Sequence, residues 1–132
     1  MSRLNKTFKA LRRAERTGLV TYVTAGDPTV ARTESILRTL DASGADVLEI
    51  GVPFSDPLAD GPVIQRASER ALAAGSTLTS TLNTLEKIRS SLDAPIVIFS
   101  YVNPILSLGV EEFGARAAAA GIDGVLVLDL PF

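Results

Sequence analysis

The chain has 132 residues, a net charge of −2, 46% hydrophobic residues and 21% charged ones. That describes about one globular domain able to bury a core, and it excludes both a disordered chain and the basic footprint of a nucleic-acid binder. It contains no Cys and no His, which removes disulfides, thiolate metal sites, cysteine nucleophiles and the Ser–His–Asp triad. Any acid–base chemistry must therefore run on Asp, Glu, Tyr or Lys. The N-terminus is polar and basic, with no apolar stretch of a secretory leader. No apolar run reaches the ~18 residues of a membrane span. A cytoplasmic protein is the expectation. The basic cluster from Lys9 to Arg16 reads as a solvated helix face.

Period and punctuation predict the elements in order. Residues 3–17 form a helix, with Leu4, Phe8 and Leu11 on one face and Gly18 closing it. Residues 19–24 form a strand, and Ala25-Gly-Asp-Pro28 turns the chain. A helix follows over 29–42, with Gly44 just beyond, then a strand over 47–50. Residues 51–60 form a loop with two prolines. Pro62 suits the first turn of a helix that runs to Ala74 and ends at Gly75. A second helix spans 77–91, with Leu78, Leu82, Leu85 and Ile88 apolar. The third strand runs from Pro95 to Tyr101, a helix from Val110 to Ala120 ends at Gly121, and the fourth strand runs from Gly124 to Leu128.

Apolar strands separated by 20 or more residues of helix imply a parallel sheet. A doubly wound sheet and a (β/α) barrel both have this order. No Gly-x-Gly-x-x-Gly follows the first strand, which weakens the dinucleotide-binding reading. Tyr22 and Thr24, Val47 and Glu49, and Phe99 and Tyr101 share parity within their strands, so each pair can point one way. Polar residues on such a face favour a barrel with a pocket. A full barrel takes eight strands and about 250 residues, so residues 1–132 are expected to be the N-terminal half of a single TIM-barrel domain: α/β, with about the first four βα units of a (β/α)8 barrel.

Glu49 stands near the end of an apolar strand and Asp60 in the loop that follows. An ionised carboxylate is costly to bury without a partner, and burial pushes its pKa up instead. Strand C-terminal ends are where parallel α/β folds place chemistry. A lone Glu in such a strand can equally serve a structural pair. Asp60, in Ala-Asp-Gly-Pro, can equally be a turn residue or a helix N-cap. Tyr22, Phe99, Tyr101, Leu126 and Leu128 can be core, and Asp56 in Pro53-Phe-Ser-Asp-Pro57 can be an ordinary loop acid.

The run Leu48-Glu-Ile-Gly-Val-Pro-Phe-Ser-Asp-Pro-Leu-Ala-Asp-Gly-Pro-Val-Ile-Gln65 resembles the tryptophan synthase alpha subunit. Tyr22-Val-Thr-Ala-Gly-Asp-Pro28, Tyr101-Val-Asn-Pro-Ile105 and Gly121-Ile-Asp-Gly-Val-Leu-Val-Leu-Asp-Leu-Pro131 carry the same resemblance. It covers the whole chain but only the first half of the family's length, without the later phosphate-binding loops. It implies a lyase that cleaves indole-3-glycerol phosphate to indole and glyceraldehyde 3-phosphate. Glu49 would be the general acid/base, Asp60 the partner of the indole N–H, and Tyr22, Phe99, Tyr101, Leu126 and Leu128 the pocket. Pro53 and Asp56 would contact a beta subunit in an alpha2beta2 tetramer. The resemblance implies no cofactor for this chain, with pyridoxal phosphate held only by the beta subunit. The family pattern has phenylalanine where this chain has Tyr22, and a buried hydroxyl there needs a polar partner. The alternative reading is a non-catalytic half-barrel or a docking module for a beta-subunit partner.

Overall fold

The computed structural model describes residues 1–131; of the half-barrel expected over 1–132, Phe132 lies outside the described residues. Four strands, β1 (Val20–Thr24), β2 (Val47–Gly51), β3 (Ile96–Ser100) and β4 (Gly124–Val127), form one sheet. They lie in the order β1-β2-β3-β4, and every neighbouring pair is parallel. The helices are α1 (Arg3–Arg13), α2 (Val30–Ala42), α3 (Pro62–Ala73), α4 (Leu78–Ile88), α5 (Val102–Leu108) and α6 (Val110–Ala119).

Local chemistry sets most of these boundaries. The Ser2 hydroxyl accepts the Asn5 amide at the start of α1, and Thr29 does the same for Arg32 at the start of α2. At α4, Thr77 and Ser80 cap each other reciprocally. Such caps satisfy amides that the helix leaves without partners. The helix expected to reach residue 17 stops at Arg13, because Glu15 turns the backbone to a φ of 51° and the Arg16 amide returns to the Leu11 carbonyl. Leu11 is buried there, whereas Phe8 is 48% exposed rather than part of the packed face. The helix expected over 77–91 is α-helical only to Ile88 and finishes in a 3₁₀ turn, Arg89–Ser91.

The odd-numbered residues of β2 and the even-numbered residues of β1 share one face of the sheet, as the register Tyr22↔Glu49 requires. The other face is the core. Leu48, Ile50, Ile96 and Ile98 are completely buried in one cluster with Leu37 of α2, Leu82, Leu85 and Ile88 of α4, and Phe113 and Ala117 of α6. Burying each such side chain is worth about 1.5–3 kcal/mol. The helices of this cluster all pack on one face of the sheet, as outside a barrel wall, whereas a doubly wound sheet carries helices on both faces.

At the N-terminal ends of the strands, three aspartates hold the chain together. Asp46 takes the Leu19 amide at 2.8 Å and pairs with Arg16. Asp41 takes the Asp93 and Ala94 amides at 3.1 and 2.8 Å. Asp123 takes the Ile96 amide and pairs with Arg3, both at 2.9 Å. The start of α1 lies across this end: a Cβ added to Gly124 would sit 3.2 Å from Leu4 Cδ1.

Candidate active site

β2 offers Glu49 to the uncovered face because its neighbours Leu48 and Ile50 are claimed by the core. The strand is parallel-paired on both sides, so Glu49 stands between Tyr22 of β1 and Val97 of β3. One step further along, Gly51 is level with Thr24, Phe99 and Leu126. The Tyr22 ring extends over Gly51 toward the C-terminal ends. It meets Phe99 edge-on, with centroids 5.4 Å apart and planes at 81°, the geometry aromatic quadrupoles prefer. Burial raises the Tyr22 pKa; the nearby Thr24 hydroxyl opposes this, and the charges of Asp60 and Glu49 add to it. The hydroxyl that distinguishes this chain from the family pattern thus has a polar neighbour in Thr24, with both carboxylates nearby.

Residues 52–61 run from β2 to the end of β3. The Val52 amide continues the ladder to the Phe99 carbonyl at 2.9 Å. Phe54 tilts against the Tyr101 ring at 5.2 Å, and the Ala59 amide donates to the Tyr101 hydroxyl at 2.9 Å. Asp60 is half-buried. It is not the cap of α3: that place is taken by Gly61, with no side-chain cap bond. Its backbone is held by its own N–H to the Pro57 carbonyl at 3.0 Å and by Gln65 Nε2 on its carbonyl at 2.9 Å. The carboxylate is therefore not spent on the turn or on the helix terminus, the two structural uses open to it from the sequence. Burial raises the Tyr101 pKa, and the charge of Asp60 adds to that, so both phenols stay protonated near neutrality.

The remaining expected residues are spread more widely. Leu126 lies on the Glu49 face at the open edge, 42% exposed. Leu128 falls outside β4, which ends at Val127; its amide reaches the Ser100 carbonyl at 3.0 Å, and the chain turns there. Asp56 is exposed and accepts the Ser55 hydroxyl at 2.8 Å. Pro53 is buried and walls a cleft of about 350 Å³ with Leu78, Pro104 and Leu108. Gly51, Phe54 and the Ala59 amide join the site without having been expected there from the sequence. The signal for Gly51 was present, since a glycine at a strand end marks a close approach. Among the described residues no cluster of three His, Cys, Asp or Glu side chains could hold a metal ion.

The family profile described as "Tryptophan synthase alpha chain" matches residues 8–132. The chain belongs to this family. It is 55% identical to the tryptophan synthase alpha chain of Geobacter sulfurreducens over 131 residues, covering 99% of this chain and 50% of that one. It is 52% identical to the alpha chain of Solibacter usitatus over 129 residues, 98% and 48% of the two. It superposes on the crystal structure of tryptophan synthase subunit alpha from Legionella pneumophila with a TM-score of 0.96 at 45% identity, covering 99% of this chain and 50% of that one. Against tryptophan synthase from M. tuberculosis in an open form with BRD0059 bound, the TM-score is 0.92 at 39% identity, over 98% and 52% of the two chains. The chain thus spans about half the length of the curated relatives it matches. Its four-stranded sheet is half of the alpha-chain TIM barrel. No helix among the described residues is long and apolar enough to cross a membrane.

Proposed function

We propose that these residues form the first half of a single barrel domain, and that the barrel-length protein — this chain continued through the second half its relatives carry — cleaves indole-3-glycerol phosphate to indole and glyceraldehyde 3-phosphate. The observation that carries this is that Glu49, level with Tyr22 across the β1–β2 pair, and Asp60, in the loop after β2, both lie near enough to the Tyr22 phenol for their charges to raise its pKa.

The reaction breaks the bond between indole C3 and the glycerol side chain. A proton goes onto C3, and the side-chain hydroxyl next to that carbon gives one up as it becomes the aldehyde. One carboxyl that both donates and accepts can serve both steps, and Glu49 takes that role. Protonation at C3 leaves positive charge on the indole nitrogen. The Asp60 carboxylate, held beside the N–H, stabilises it. Tyr22, Phe99 and Tyr101 supply aromatic walls, and Leu126 and Leu128 the apolar edge. The substrate phosphate is bound by the second half.

The reaction needs no cofactor in this chain. Pyridoxal phosphate belongs to a beta subunit, with which the alpha protein assembles as an alpha2beta2 tetramer in the cytoplasm. Asp56 is exposed to such a partner, and Pro53 meets it through the cleft it walls.

Glu49→Gln in the barrel-length protein tests the reading. The amide keeps the shape but cannot exchange a proton, so indole release should fall by at least the ~10²–10⁴-fold of a lost general acid–base. Retention of a tenth or more of the turnover would remove Glu49 from the reaction.

A further inference from the structure

The Tyr101 ring and its hydroxyl are both committed to the protein. The oxygen accepts the Ala59 amide proton at 2.9 Å, and the ring leans on Phe54. Both contacts are to the loop between β2 and α3. Tyr101 is only 5% exposed and directly follows β3, as the residue that opens α5. The first amide of α5, on Val102, is fixed in turn by the Asp129 carboxylate at 2.7 Å. A residue anchored at the end of β3 therefore grips the loop at two points, one of them the amide immediately before Asp60.

We propose that Tyr101 is the positioning residue for Asp60: its hydroxyl latches the β2–α3 loop to the end of β3 and so fixes where the Asp60 carboxylate stands. Burial, with the charge of Asp60 adding to it, keeps the Tyr101 phenol protonated, while its oxygen accepts the Ala59 amide. Substrate then meets Tyr101 as a ring and not as a hydrogen-bonding group. The catalytic consequence rests on Asp60 serving the indole N–H; the latch itself does not.

Tyr101→Phe in the barrel-length protein removes the hydroxyl and keeps the ring on Phe54. Amide exchange across residues 54–60 should quicken by roughly 2- to 12-fold, the net worth of one hydrogen bond, with β2 and β3 unchanged. Turnover should fall, and in an Asp60→Asn background the same change should add less than about twofold, because residues acting through one another are not additive. Unchanged exchange in the loop would overturn the latch. Fully multiplicative losses in the double variant would place Tyr101 on the substrate instead and overturn the positioning role. The exchange measurement is independent of the reaction. An active Glu49→Gln protein would therefore sink the functional reading and leave the latch standing, and the reverse holds as well.

Discussion

The Tyr22 ring occupies the space where a side chain on Gly51 would begin: a Cβ there would overlap the hydroxyl and lie 2.5 Å from Cζ and 2.9 Å from Cε2. Gly51→Ala must displace the ring or bend β2, and overpacking of this kind costs about 1–3 kcal/mol. Tyr22→Phe removes only the nearest of the three atoms, so the double variant should remain less stable than Tyr22→Phe alone. Urea unfolding of the four proteins reads both effects. A Gly51→Ala midpoint equal to wild type would show that the ring is free to leave.

Asp60→Asn should slow indole release through the transition state and not through binding alone. Removing an electrostatic partner of this kind costs roughly 2.7–4 kcal/mol, or about 10²–10³ in kcat. Asp60→Glu should lose less, since the charge survives in a shifted position. Steady-state kinetics of the barrel-length variants decide it; an Asn variant as fast as wild type would return Asp60 to the role of a turn residue.

Asp27 receives both Arg70 Nε and Nη2, at 2.7 and 2.8 Å, and these bonds hold its carboxyl below the ordinary value of 3.8. A depressed carboxyl pKa contributes stability that is complete above the unfolded value and is lost as pH falls through the folded one. The difference between wild type and Asp27→Asn should therefore be level above pH ~4 and shrink below it. Arg70 is more than half exposed, so the effect is modest and weakens with salt. Unfolding free energies between pH 2 and 6 test this, and a difference that grows on acidification would contradict it.

Five exposed apolar side chains flank the two edge strands. Leu19 and Val20 lie at β1, and Val125, Leu126 and Leu130 at or just beyond β4, all above 40% exposed. Unpaired strand edges with apolar flanks drive association. The 132-residue chain by itself should self-associate in sedimentation velocity and release no indole. Val125→Lys with Leu126→Lys should shift it toward monomer. A monomeric, active wild-type chain would refute the assignment of these edges as surfaces that the rest of the barrel covers.

The sheet was legible because each strand is apolar on its core face and each helix carries a cap or a terminal glycine. The helix α5 was not. Residues 102–109 fall between the expected strand and helix with no element assigned, and Asn-Pro ordinarily marks a turn, yet Pro104 is the third residue of α5, inside the first turn, where the helix asks for no donated amide. The end of the first helix was misplaced for a related reason. Gly18 is the usual signal, but Glu15 itself takes the left-handed conformation. Glu49 stands out as a carboxylate in an apolar strand, whereas the role expected of Asp60 comes from the family resemblance and not from its local context. That Gly61 and not Asp60 caps α3 agrees with Pro62 as the first helical residue. The Tyr101–Ala59 bond spans 42 residues and joins a side chain to a main-chain group, so no local pattern could announce it.

Asp41, Asp46 and Asp123 tie successive strands together at the end of the sheet opposite Glu49 and the 52–61 loop. Their bonds are to backbone amides and to arginines of the N-terminal segment, none of which enters the pocket. Substitutions among the pocket residues therefore leave these ties untouched. A chain built this way holds its strand order without help from the loop after β2, so a foreign 53–61 segment grafted onto this scaffold should leave the fold standing.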